Sequence, residues 1–148
     1  LIDQVIRKMK REKGLLIPCL NLWRLIPASM WQELHPELGM KAFGHGGDPL
    51  TSVYLNLFPE LMRMDLLSKE DKKGEMLGLP TAGLAGIRFQ ENEIALAVDV
   101  TDRCSNGVAG GEPAQSSAEK GQKIVDYLVG YCADFVTYFS TQNPKTAA

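Results

Sequence analysis

Cysteine is scarce in this chain, and what there is does not pair. Cys19, Cys104 and Cys132 are the three in 148 residues, far apart and without a Cys-x-x-Cys motif. That argues against a disulfide framework or a zinc knuckle and suits buried thiols in a reducing, cytoplasmic setting. A surplus of one charge is missing too. The 16 basic and 18 acidic residues leave a net charge of −2, so neither nucleic acid nor an anionic membrane is an expected partner. No apolar run reaches the ~18 residues of a membrane-spanning helix, and the first residues carry no signal-peptide pattern. There is no internal repeat and no low-complexity segment. Histidine is almost absent: His35 and His45 are the only two. The glycine-rich stretch GVAGGEP (107–113) fits neither a dinucleotide fingerprint nor a phosphate loop. No serine nucleophile elbow and no Cys/His nucleophile pair is legible.

What remains is the composition of an ordinary globular domain, 45% hydrophobic and 23% charged, long enough to bury a core. The chain opens on a helical pattern: Leu1, Ile2, Val5, Ile6 and Met9 form an apolar stripe, basic residues crowd the last turn, and Gly14 stops it. LLIPCLNL has strand length, with Pro18 favouring an edge position. A short helix is expected over 28–35, closed before Pro36. Residues 59–80 read as polar loop with one helical turn, and their charge run as a solvated face. Alternation over 87–101 predicts one or two strands. A glycine-rich loop then leads to a long amphipathic helix. Ser116 or Ser117 would cap it, and Ile124, Leu128, Tyr131, Cys132, Phe135 and Phe139 would form its buried face. The last residues, STQNPKTAA, are expected to fray. Helices alternating with strands point to an α/β fold with helices packed on a sheet.

The stretch GHGGDPLTS (44–52) carries the chemistry. Asp48-Pro49 starts a helix on which Leu50, Val53, Tyr54 and Leu57 recur at one-face spacing. His45 therefore sits on a glycine-bounded loop at a helix N-terminus, where backbone approaches a ligand closely and a developing oxyanion is favoured. It is either a catalytic imidazole or part of a tight turn. Asp48 reads first as the helix cap and more weakly as a metal ligand, because one carboxylate and one histidine are too few for a closed site. Trp23 and Trp31 are core or interface residues by type, although Trp23 follows a strand-like run, where α/β sites gather.

These residues resemble the creatininase (creatinine amidohydrolase) family. GHGGDPLTSVYLNLFPELMRMD is similar to its second signature through His45, Gly46, Gly47, Thr51, Ser52, Pro59, Glu60, Leu61, Arg63 and Asp65. NLWRL (21–25) resembles the segment that sets an aromatic residue beside the substrate. GEPAQSSAEKG (111–121) resembles the entry to the family's last helix. The resemblance implies a three-layer α/β/α sandwich and hydrolysis of cyclic or linear non-peptide amides. It further implies a two-metal zinc or manganese centre and assembly as a homohexamer. By the same resemblance His45 would exchange a proton near the leaving nitrogen, a task suited to imidazole. Asp48 would be the second catalytic residue, and Trp23, Gly46 and Gly47 would bind substrate.

The departures carry their own expectations. The family's metal ligands lie in Glu-x-His…Asp and Asn-Gly-His segments, and neither is present. Residues 1–148 are therefore expected to be the C-terminal part of one domain, its metal-bearing half absent or on a companion chain, and none of the chain's own residues is named a metal ligand. The acid usual before Thr-Ser is Leu50 here, and the Glu before the catalytic histidine is Gly44, which points away from creatinine as substrate. The alternative to an amidohydrolase is a non-catalytic scaffold or binding subunit of the same fold.

Overall fold

A computed structural model describes residues 1–68 and 74–145. The chain divides into two compact units, Leu1–Ile26 with Asp126–Ala148, and Pro27–Val125. Among the described residues no helix is long and apolar enough to cross a membrane.

In the first unit, helix α1 (Ile2–Lys13) ends where the sequence says it should. Gly14 takes a left-handed conformation (φ 64°) and donates to the Lys10 carbonyl, while the Leu15 N–H reaches back to Met9, which satisfies carbonyls the last turn leaves free. None of the α1 residues is buried. Leu1, Ile2 and Val5 of its apolar stripe are exposed, and Ile6 and Met9 are half-buried. The strand expected after Gly14 is not formed. Residues 15–21 meet the C-terminal tail through one bridge, Leu15 to Lys145, and the bond from Leu16 N–H to the Pro144 carbonyl. Pro18 has no N–H to offer, and no strand of the described chain runs alongside. Helix α2 (Leu22–Leu25), unforeseen in the sequence, carries Trp23 half-buried. The Tyr127 hydroxyl donates to the Leu25 carbonyl at 3.2 Å. The contacts of Pro144 and Lys145 order the tail that far; 146–148 lie outside the described residues.

The second unit holds α3 (Ala28–Leu34), α4 (Leu50–Leu57), α5 (Val100–Arg103) and the start of α6 (Ala118–Ser140). Trp31 and Leu34 are the buried residues of α3. Between α4 and α5 runs an antiparallel meander, β1 (Glu75–Met76), β2 (Leu79–Ala82), β3 (Gly86–Phe89) and β4 (Asn92–Ala95), paired in that order. Leu77 and Gly78 both adopt positive φ, the twist a two-residue hairpin turn requires. The β3/β4 register, Gly86 opposite Ala95 to Phe89 opposite Asn92, accounts for the first part of the strand expected over 87–101; 96–99 form no strand, Val100 and Thr101 open α5, and β1 and β2 lie outside that stretch. Helix and sheet are therefore mixed, and every described strand pairing is antiparallel and local. The charge run falls largely on residues 69–73, outside the described residues.

Helix α4 faces inward by a side that hydrophobicity does not mark. Thr51 and Ser52 are its buried residues, while Leu50, Tyr54 and Leu57 of the expected apolar face are exposed. The reason lies in the polar cluster that follows.

Candidate active site

The loop bearing His45 is short and tied at several points. Gly44 N–H donates to the Asp48 carbonyl at 3.3 Å, Gly47 N–H to Gly44 at 3.0 Å, and Asp48 N–H to Ala42 at 3.2 Å. The Thr51 hydroxyl reaches forward from α4 to the Gly46 carbonyl, 2.8 Å away. A second loop, the glycine-rich 104–112, clasps the first. His45 and Ala109 form an antiparallel bridge, with Ala109 N–H donating to the His45 carbonyl at 2.9 Å. Only glycine permits this approach: a Cβ on Gly44 would overlap the Gly110–Gly111 backbone, and one on Gly47 would sit 2.9 Å from the Ala42 carbonyl oxygen. Gly46, at φ +84°, turns the chain so that His45 and Gly46 are exposed while Gly47 and Asp48 are buried.

Asp48 does not turn its side chain to solvent. Its carboxylate is buried and accepts from four groups. Ser52 donates both its backbone N–H (3.0 Å) and its hydroxyl (2.7 Å), Ser116 its hydroxyl (2.6 Å), and His35 Nε2 lies 2.7 Å away. The Ser52 bond satisfies a free N–H in the first turn of α4, the capping role expected, although Pro49 holds the cap position itself. The Asp48-Pro49 peptide is cis. Ser52 Oγ in turn accepts from Ser117 N–H at 3.1 Å, and Ser117 Oγ caps α6 by accepting Lys120 N–H at 3.2 Å. So Ser117 is the cap, and Ser116 serves Asp48. Four donors on one buried carboxylate leave it solvated by protein instead of water.

The histidine that sequence reading passed over is thus the one Asp48 holds. His35 ends α3, is buried to 2% exposure, and lies under the Trp31 ring at a centroid distance of 6.2 Å. Lys120 Nζ approaches its other nitrogen, Nδ1, at 3.3 Å, and donates to the Gln115 carbonyl at 2.6 Å. The available signal was chemical: a buried aspartate needs donors, and His35 is the only other histidine in the chain. His45, Gly46, Gly47 and Asp48 share one loop, with the imidazole of His45 on the outside and the carboxylate of Asp48 on the inside. Trp23 lies in the other unit.

Beside the loops is a cavity of ≈ 340 Å³ lined by Leu67, Ser68, Val108, Gly111, Glu112, Pro113 and Ala114. Val108 packs on Gly46, so the cavity borders the clasp without including His45 in its wall. Downstream of α4, Arg63 grips Asp65 through two bonds of 2.9 and 2.7 Å. That bond holds the Asp65 carboxyl below its ordinary range and the guanidinium above its own. Among the described residues no group of three or more His, Cys, Asp or Glu side chains is placed to hold a metal ion.

The sequence model of the Creatininase family, described as creatinine amidohydrolase, matches residues 1–136, and the chain belongs to that family. Comparison with curated proteins and with solved structures returns no match.

Proposed function

We propose that this protein hydrolyses C–N bonds in small cyclic or linear amides other than peptides, and that His45 moves the proton at the leaving nitrogen. The observation that carries this reading is the loop itself. It spends four glycines, Gly44, Gly47, Gly110 and Gly111, on a close backbone clasp whose outcome is one exposed imidazole. An imidazole held at its backbone and open at its ring can give a proton to a departing amine and recover one from water. Gly46 leaves its backbone accessible to a substrate, Gly47 keeps the loop tight, and Trp23 is assigned the aromatic contact. Asp48 contributes from beneath, by fixing the base of the loop.

Divalent zinc or manganese supplies activated water and carbonyl polarisation in hydrolases of this kind. The described residues do not fit such a centre, because both oxygens of the one buried carboxylate are already engaged. We therefore assign the metal ligands to residues outside this chain, in a missing half or a companion chain. The complete domain is proposed to be a three-layer α/β/α sandwich that acts as a cytoplasmic homo-oligomer, a hexamer in keeping with the family. A second reading, a non-catalytic scaffold or binding subunit, is favoured by the absence of an acid at Gly44 and Leu50.

The test is a panel of small amides, creatinine included, offered to the full-length protein loaded with zinc or manganese, with release of ammonia or amine as the readout. Turnover should appear on at least one amide, and His45→Ala should reduce it by roughly 10²–10⁴-fold, the usual share of acid–base catalysis. No turnover on any amide, or full turnover in the variant, overturns the reading.

A further inference from the structure

We propose that Lys120 and His35 are positioning residues for the His45 loop, linked in a directional chain of hydrogen bonds that ends on Asp48. A carboxylate accepts only, so the His35 nitrogen 2.7 Å from Asp48 must carry the ring hydrogen and donate it. A lysine ammonium donates only, so the nitrogen 3.3 Å from Lys120 must accept. The two contacts agree on a single neutral form, hydrogen on Nε2 and lone pair on Nδ1. Asp48 requires the hydrogen on Nε2, and Lys120 requires the lone pair on Nδ1; only together do the two contacts fix both nitrogens.

Both ends of the chain are anchored. Lys120 Nζ is held by the Gln115 carbonyl, in the turn Pro113–Gln115 at the end of the clasping loop. Asp48 accepts the Gly44 N–H at its backbone carbonyl, so what fixes Asp48 also fixes the first residue of Gly44-His45. The stack on Trp31 holds the imidazole plane. A polar chain of this kind is conformationally specific because reversing one hydrogen breaks two contacts. The lysine of the Ser-Ser-Ala-Glu-Lys-Gly stretch is thereby given a task at the loop it never touches.

Because His45 is read above as the proton-transfer group, the test reads the chain of bonds and not turnover. Ring-nitrogen NMR of His35 in the full-length protein should show hydrogen on Nε2 and an accepting Nδ1. Lys120→Met should move the Nδ1 resonance toward that of a free acceptor. It should also speed amide exchange at Gly44 and Asp48 by about tenfold or more, as expected for loss of one charge-assisted bond. Lys120→Arg, which keeps a donor, should restore protection. Asp48→Asn supplies the sign: when its amide donates toward His35, the ring hydrogen must shift to Nδ1, against Lys120. Lys120→Met should then raise the stability of the Asp48→Asn protein, whereas it lowers that of the parent. Hydrogen on Nδ1 in the parent, unchanged loop exchange in Lys120→Met, or simple additivity of the two substitutions each overturns the proposal. If the bonds behave as stated while His45→Ala keeps full turnover, only the reading of His45 falls.

Discussion

Gly121 of α6 lies against the backbone carbonyl of Ser52 in α4, so closely that a Cβ at position 121 would overlap it and stand 2.9 Å from the Asn56 Cβ. The obstacle is backbone, which cannot rotate away as a side chain can. This contact brings Ser117 and Ser52 within hydrogen-bonding distance, and with them the cap of α6 and the carboxylate of Asp48. It also explains why α4 turns Thr51 and Ser52 inward: only small side chains fit beneath a helix at this range.

Gly121→Ala is accordingly expected to destabilise the protein by about 1–3 kcal/mol, the cost of overpacking a close contact. Gly130, on the same helix, has nothing within 4 Å of where a Cβ would be. Gly130→Ala should therefore stabilise by about 0.5–1 kcal/mol through the higher helix propensity of alanine. Denaturant unfolding of the two variants measures both. Effects of the same sign would mean the Ser52 contact is absent.

The two positions where the family carries an acid should respond in opposite ways. Gly44→Glu would drive a side chain into the Gly110–Gly111 backbone, separating the loops and breaking the His45–Ala109 bridge. Unfolding should then come at markedly lower denaturant. Leu50 is 48% exposed at the start of α4, where a carboxylate meets the positive end of the helix. Leu50→Glu should leave stability within about 0.5 kcal/mol of the parent, or raise it slightly. Equal tolerance at both sites would contradict the clasp.

Much of this was legible in the residues. Gly14 gives the end of α1, Pro36 the limit of α3, the Ser116-Ser117 pair the start of α6, and alternation the β3/β4 hairpin. These features are local, set by backbone conformation and capping within a few residues. What escaped was set by contacts distant in sequence. LLIPCLNL has strand composition but finds no strand to pair with. The apolar face of α4 is the exposed one, because the burial of Asp48 and the approach of Gly121 decide its rotation. For the site, the sequence marked the His45 loop and the signature residues, yet set His35 aside. Its pairing with Asp48 spans 13 residues, and its contact with Lys120 spans 85; no spacing rule reaches that far.

The signature pair Arg63 and Asp65 offers a pH test. The Arg63 bond lowers the Asp65 carboxyl below its ordinary range. Its contribution is present above the unfolded-state value and is lost as pH falls through the depressed folded one. Both side chains are more than 60% exposed, so solvent and salt screen the pair and the effect on folding should be slight. Carboxyl NMR titration should find Asp65 titrating low in the parent and in the ordinary carboxylate range in Arg63→Gln. An Asp65 titration that the substitution leaves unmoved would assign the shift to something other than Arg63.

Metal binding by this chain alone should be weak. Among the described residues Asp48 is the one buried carboxylate, and a cation there would have to displace the Ser116 hydroxyl, the His35 ring, or both. Each displacement leaves a buried donor without its acceptor, which costs about 1–3 kcal/mol before any ligand bond forms. His35 cannot join as a ligand at Nε2 without giving up the hydrogen it donates. Among the described residues the exposed carboxylates lack the convergence a closed site needs. Manganese, which prefers oxygen, is the cleaner probe, because Cys19 is an exposed free thiol that zinc would find first. Calorimetric titration of residues 1–148 with manganese, and of a Cys19→Ser form with zinc, should give weak, non-stoichiometric binding that Asp48→Asn leaves unchanged. Tight one-to-one binding abolished by Asp48→Asn would place a metal ligand on this chain and overturn the assignment of the metal ligands to residues outside it.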